Sequence, residues 1–151
     1  MFKGCSKITS LNLMKLNTIS VKKMDYMFQG MASLQSISFS ESFNTQKVYT
    51  MEKMFEGCNS LTSLDLSKFE TKTLDNMNQM FQHCNKLEKL DINHFQTSQV
   101  KNMSFLFNNC SSLKSLSLES FNTDLVQTMN GMFKGCSSIE KLELKNFDVS
   151  S

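Results

Sequence analysis

Hydrophobic positions recur along this chain at a fixed interval. A Met-Phe or Leu-Phe pair begins at positions 1, 27, 54, 80, 106 and 132, so the spacings are 26, 27, 26, 26 and 26 residues. Such a period is typical of repeat proteins, in which each unit buries its apolar face by stacking on its neighbours. The sequence predicts a single array of about six repeats over residues 1–151, with the last repeat incomplete at residues 147–151. We also expect the chain to be an excerpt of a longer protein.

The third repeat contains a pattern that predicts a helix of about ten residues. Val48, Met51, Met54 and Phe55 are spaced so that they share one helical face. A threonine stands before this face in five of the repeats, at the position of an N-cap. These residues form the threonine column: Thr18, Thr45, Thr71, Thr97 and Thr123.

The predicted helix ends at a position that favours residues able to adopt positive φ. These residues form the glycine column: Gly4, Gly30, Gly57, His83, Asn109 and Gly135. Glycine, and less often Asn or His, accepts the left-handed conformation of a helix C-cap. We therefore predict that each helix ends at the glycine column.

After the glycine column the apolar pattern changes to a period of two. Leu64 and Leu66 would lie on one side of a short strand, with Ser63, Asp65 and Ser67 on the other. The same pattern occurs in every repeat. It predicts an α/β, leucine-rich-repeat-like solenoid with one short parallel strand and one helix per 26-residue repeat.

The complete repeat resembles a known family. The motif MFxGCSSLxSLxLSxFNTxxVxxM is nearly intact from Met54 to Met77 and from Phe107 to Met129. It is similar to the BspA-like leucine-rich repeat, the 26-residue repeat of bacterial surface lipoproteins and adhesins. The resemblance implies an extracellular or cell-surface protein that binds a protein or glycan on a host or neighbouring cell.

Two further columns are predicted to form the core. One contains Cys5, Cys58, Cys84, Cys110 and Cys136, with Met31 in the second repeat. Parallel side chains one repeat apart have the wrong direction for a disulfide, so we expect reduced thiols that pack as small apolar groups. Ten of the 12 methionines fall in two columns on the predicted inward face of the helix.

Composition excludes several classes of function. The net charge is +2, and all 16 basic residues are lysines spread through the repeats, so we expect no nucleic-acid partner. The sequence has no apolar run long enough for a membrane helix and no recognisable signal sequence. It also lacks phosphate-binding glycine loops and catalytic Ser-His or Cys-His sets, and its two histidines, His83 and His94, occupy cap and surface positions. We therefore predict a protein that is not an enzyme and has no cofactor or metal.

The exposed side of the strands is the predicted binding surface, because solenoids present their ligand sites there. We call this surface the strand face. Its candidate residues are Ser63, Asp65, Lys89, Asp91, Ser115, Ser117, Glu119, Lys141 and Glu143. Two alternatives remain open, an intracellular scaffold and a structural stalk that presents another domain. End-to-end self-association of the array is a further expectation.

Overall fold

The computed structural model describes residues 1–148 and contains six short strands. They are β1 (Ser10–Leu13), β2 (Ser36–Phe39), β3 (Ser63–Leu64), β4 (Lys89–Leu90), β5 (Ser115–Ser117) and β6 (Lys141–Glu143). The strands pair in parallel as β1-β2, β3-β4 and β5-β6. Each pair joins two consecutive repeats, so neighbouring repeats lie side by side in the same direction.

The register of pairing follows the sequence period. Ser10 pairs with Ser36, and Ser63 pairs with Lys89, a step of 26 residues in both cases. On the opposite side of the repeats, Lys23 forms a parallel bridge with Thr50, a step of 27. The extra residue of the second repeat therefore lies between Phe39 and Thr50, in agreement with the single spacing of 27.

The predicted helix is wrong, and with it the α/β solenoid with one helix per repeat. No helix occurs within residues 1–148. Residues 51–57 and their counterparts form a succession of tight turns, which we call the turn ribbon. In this ribbon, Met54 N donates to Met51 O and Cys58 N donates to Phe55 O, three residues back rather than four.

Hydrogen bonds to the next repeat explain why the turn ribbon is not a helix. The N–H groups of Met51, Lys53, Phe55 and Gly57 donate to carbonyls of the fourth repeat at 2.8–3.0 Å. Those N–H groups are then unavailable to a carbonyl four residues back. Directly paired backbones lie roughly 5 Å apart, whereas packed helices need roughly 8–10 Å. Helices would therefore not fit the step set by the strands.

The turns require positive φ at two positions in each repeat. The glycine column has positive φ throughout, from 58° at Asn109 to 77° at Gly135, as the sequence predicted, although it caps no helix. The second position was missed. Tyr26, Lys53, Gln79, Phe105 and Gly131 also have positive φ. Each is the third residue of a tight turn, where a type II turn needs this conformation.

The threonine column joins neighbouring repeats and does not cap helices. Thr45 Oγ1 donates to Glu70 O at 2.8 Å and accepts a hydrogen bond from Glu70 N at 2.7 Å. The same double contact occurs at every threonine of the column. The N-cap prediction is therefore wrong, and the buried hydroxyls satisfy backbone groups of the following repeat instead.

The core between strands and turn ribbon consists of stacked columns. Phe81 lies between Phe55 and Phe107, with ring centroids 5.9 and 5.7 Å apart and interplanar angles of 2° and 1°. The methionine columns are buried as predicted, except that Met129 is half-buried and Met1 is 81% exposed. Within residues 1–148 no helix has the length and apolarity to span a membrane.

Candidate ligand-binding face

The strand face has the alternation that the sequence predicted. Leu64 and Leu66 are buried, whereas Ser63 and Asp65 are exposed. The same holds in the fourth repeat, where Leu90 is buried between exposed Lys89 and Asp91. Because the repeats stack in register, polar side chains of consecutive repeats come to lie side by side on this face.

Four of the predicted residues surround one shallow depression of about 310 Å³. They are Lys89 and Asp91 of the fourth repeat and Ser115 and Ser117 of the fifth, and Leu90 and Asn93 complete the lining. Lysine supplies hydrogen-bond donors, aspartate supplies acceptors, and serine and asparagine supply both. We call this the central depression.

A second depression, of about 120 Å³, adjoins the first. Its lining includes Asp65, Asp91 and His94, so Asp91 borders both depressions. Asp65 Oδ1 accepts a hydrogen bond from Ser67 N at 2.9 Å, and this contact is the main cause of the lowered pKa of Asp65. Asp91 Oδ1 makes the equivalent contact with Asn93 N at 3.1 Å. Both carboxylates are thus held in place by local turns.

His94 belongs to this face but was not among the predicted binding residues. Its Nε2 lies 3.1 Å from Leu66 O, so the tautomer protonated at Nε2 donates to that carbonyl. Its ring meets Phe95 edge-on, with centroids 5.0 Å apart. The position precedes the buried phenylalanine of the repeat and varies along the chain, so the sequence contained no signal for this placement.

The remaining predicted residues lie toward β6 or on β3. Lys141 Nζ pairs with Glu143 Oε1 at 2.9 Å, and this contact raises the pKa of Lys141 and lowers that of Glu143. In register, Lys141 is opposite Ser115 and Glu143 is opposite Ser117. Glu119 is exposed beyond the end of β5, and Ser63 pairs with Lys89. These residues share the face, but they do not line the central depression.

The charged side chains beside the central depression form ion pairs. Lys114 pairs with Glu88 at 2.9 Å on the adjoining surface, and Lys141 pairs with Glu143. Among residues 1–148, neither Lys89 nor Asp91 belongs to an ion pair. Their ammonium and carboxylate groups are therefore open to a ligand without the loss of an existing pair.

Both tyrosines of the chain lie away from the strand face. Tyr26 follows the bridge residue Lys23 into the turn ribbon, and its hydroxyl donates to Glu52 at 3.0 Å, which raises the pKa of Tyr26. Lys3 lies 4.7 Å from the centre of this ring, and Lys23 lies 5.4 Å from the centre of the Tyr49 ring. Both tyrosine rings therefore lie close to lysine side chains on the turn side, which is the side of each repeat that carries the turn ribbon.

Three of the five cysteines are buried, as the sequence predicted for the whole column. All five are free thiols; Cys58, Cys84 and Cys110 are buried, and Cys5 and Cys136 are half-buried. Burial raises the pKa of the Cys58 and Cys110 thiols to about 12. Within the described part of the chain no group of three or more His, Cys, Asp or Glu side chains is placed to hold a metal ion.

A separate, more apolar depression of about 170 Å³ lies in the first repeat. Its lining includes Met1, Leu16, Val21, Met24 and Met27. The end-to-end association of the array stays a prediction.

Comparison with known protein families gives a match that covers the whole chain. The family described as "Mycoplasma protein of unknown function, DUF285" matches residues 1–115 and, in a second overlapping match, residues 76–151. The chain belongs to the DUF285 family. Searches of curated proteins and of solved structures found no match. Membership in DUF285 identifies a Mycoplasma-type repeat family, which is a coarser assignment than the BspA-like resemblance.

Proposed function

We propose that this DUF285 chain is a non-enzymatic binding module of a bacterial cell-surface protein, related to the BspA-like surface repeats. It would bind a component of a host or neighbouring cell through the strand face. The observation that carries the proposal is the central depression, where Lys89, Asp91, Ser115 and Ser117 from two repeats meet with unpaired charges. The resemblance of the repeat motif to the repeats of bacterial surface proteins supports a surface role.

The experiment uses the chain labelled with a fluorophore and a panel of intact animal and bacterial cells. A strand-face variant carries Lys89→Ala and Asp91→Asn. A control variant carries Lys47→Ala and Asp124→Asn, which change the same two residue types in exposed turns after the threonine column. Asparagine at position 91 can still accept the hydrogen bond from Asn93 N, so the local turn is kept.

We expect saturable binding to at least one cell type, a loss of about tenfold in affinity for the strand-face variant, and no change for the control. Equal binding by both variants would rule out the strand face as the binding surface. If the chain bound none of the cells, the stalk and scaffold alternatives would be favoured. In the producing bacterium, protease added to intact cells should remove the protein if it is displayed on the surface.

A further inference from the structure

The chemical character of the strand face narrows the class of ligand, given the function proposed above. The central depression contains one cationic and one anionic side chain, Lys89 and Asp91, whose formal charges cancel. The other polar groups are neutral: the amide of Asn93 and the hydroxyls of Ser115 and Ser117. A ligand that complements this lining carries many hydrogen-bond donors and acceptors and no net charge.

A protein partner would need anchors that this face does not offer. Protein interfaces are usually anchored by Trp, Tyr or Arg in well-packed pockets. The sequence has no Trp and no Arg, and the two tyrosines lie on the turn side in contact with lysines. The apolar residues that line the depressions expose little surface: Leu64 is 7%, Leu66 1% and Leu90 8% exposed. Hydrogen bonding is therefore the main interaction available to a ligand here.

The arrangement of the two depressions indicates an extended ligand. Asp91 borders both, with Ser115 and Ser117 on one side and Asp65 and His94 on the other. The depressions thus span strands β3, β4 and β5, which are adjacent repeats of the stack. One continuous chain of similar units could place one unit in each depression and contact Asp91 from both.

We propose that the strand face binds a linear neutral oligosaccharide across β3, β4 and β5, with Asp91 as the shared hydrogen-bond acceptor. Sugar hydroxyls would donate to the carboxylates of Asp65 and Asp91. The Lys89 ammonium would donate to sugar oxygens at the edge of the central depression. Uncharged glycans suit this site better than sialylated or sulfated ones, because the two depressions together contain two carboxylates, Asp65 and Asp91, and one ammonium group, that of Lys89.

The test uses the full chain on an array of immobilised neutral oligosaccharides of hexose and N-acetylhexosamine units, together with sialylated and sulfated counterparts. The strongest neutral glycan is then titrated in solution against the wild type, Asp91→Asn, Asp65→Asn and the control Asp124→Asn. Thermal melts of all four proteins verify that the fold is retained.

We expect neutral glycans to bind, with about a tenfold loss for Asp91→Asn, a smaller loss for Asp65→Asn and none for Asp124→Asn. Affinity should change little with salt concentration, since a neutral ligand forms no ion pairs with the site. A preference for sialylated or sulfated glycans would overturn the proposal, and so would equal binding by Asp91→Asn and the control.

The glycan and cell-binding assays together distinguish the oligosaccharide assignment from the proposed binding function of the strand face. If no glycan binds, while cell binding still depends on Lys89 and Asp91 and disappears when the cells are treated with protease, then the ligand is a protein. The oligosaccharide assignment is then wrong and the proposed function stands. If neither cells nor glycans distinguish the strand-face variants from their controls, both proposals fail.

Discussion

The hydroxyl of Thr71 satisfies both backbone polar groups of Gln96 in the next repeat. It donates to Gln96 O at 3.1 Å and accepts from Gln96 N at 2.7 Å. Thr71 is buried, whereas Gln96 is exposed, so the two contacts lie at a partly buried position. One side chain therefore supplies two hydrogen bonds to the backbone of the next repeat.

Replacement of Thr71 by valine should lower the free energy of unfolding by roughly 1–3 kcal/mol. Valine has nearly the same shape, but it removes two partly buried hydrogen bonds to the Gln96 backbone, at about 0.5–1.5 kcal/mol each. Thr71→Ser keeps the hydroxyl and is the matched control, with an expected loss below about 1.5 kcal/mol. Urea unfolding followed by circular dichroism measures both. Similar losses in the two variants would show that the hydroxyl contributes little.

The second prediction concerns the thiol of Cys84. It donates to Phe55 O at 3.2 Å, and Cys58 and Cys110 make the equivalent contact in their repeats. Cys84→Ala removes this contact and leaves a small cavity, so we expect a loss of about 1–2 kcal/mol in the free energy of unfolding. Cys5→Ala is the comparison, because Cys5 is only half-buried. A loss as large at Cys5 would contradict the role of buried packing.

Stability should decrease as the pH rises above 9. The pKa of the Cys58 thiol is raised by burial from 9.0 to about 12. In the unfolded chain the thiol ionises near 9, whereas in the folded protein it stays protonated. Stability is therefore fully present below pH 9 and is lost as the pH rises toward 12, by at most about 1.4 kcal/mol per pH unit for each such thiol.

Urea unfolding at pH 8, 9 and 10 measures this dependence, and the comparison with Cys58→Ala separates it from the titration of lysines and tyrosines. The variant should lose less stability over this range than the wild type. Thiol titration gives an independent measurement: all five cysteines should react after unfolding, whereas in the folded protein Cys5 and Cys136 should react before the three buried thiols. Identical pH profiles for the two proteins would refute the assignment.

Gly57 and Gln79 both have positive φ, but substitution at the two positions should change stability in opposite directions. Gly57 has φ of +72°, and a Cβ there would make only ordinary contacts, the nearest at 3.6 Å from Gly30 Cα. The strain of Gly57→Val is therefore conformational, and we expect a loss of about 1–2 kcal/mol. Gln79 has φ of 56° without being glycine, so Gln79→Gly should keep or raise stability, by up to about 1 kcal/mol. Thermal melts test both, and a clear loss in Gln79→Gly would contradict this account.

Part of the structure followed from the sequence because it depends on spacing alone. Residues at the same position of successive repeats meet whenever the repeats stack, whatever the shape of the connecting segment. The buried Cys84 and Met80, the exposed Asp65 and Asp91, and the extra residue before Thr50 were all predictable in this way. Positive φ at Gly57 was predictable for another reason, since glycine avoids the strain that other residues meet there.

The candidate site was only partly predictable. The sequence placed Lys89, Asp91, Ser115 and Ser117 on one face, because alternate residues of a strand point the same way. It could not show that Lys89 and Asp91 remain unpaired while Lys141 and Glu143 pair with each other. Each lysine stands two residues before its acidic neighbour, so which charges pair depends on the length and conformation of the side chains, Asp91 being one carbon shorter than Glu143.

The sequence by itself determined the repeat, its columns and the alternation of the strand face. Only the tertiary structure decided between helix and turn ribbon. A helix and the turn ribbon would place the same apolar residues on one side: Val48, Met51, Met54 and Phe55. The apolar pattern therefore could not distinguish a helix from the turn ribbon. The N–H of Phe55 donates to Met80 O in the next repeat, and Thr71 bonds to Gln96 in the same direction. These partners lie about one repeat away in sequence, and local propensity contains no information about them.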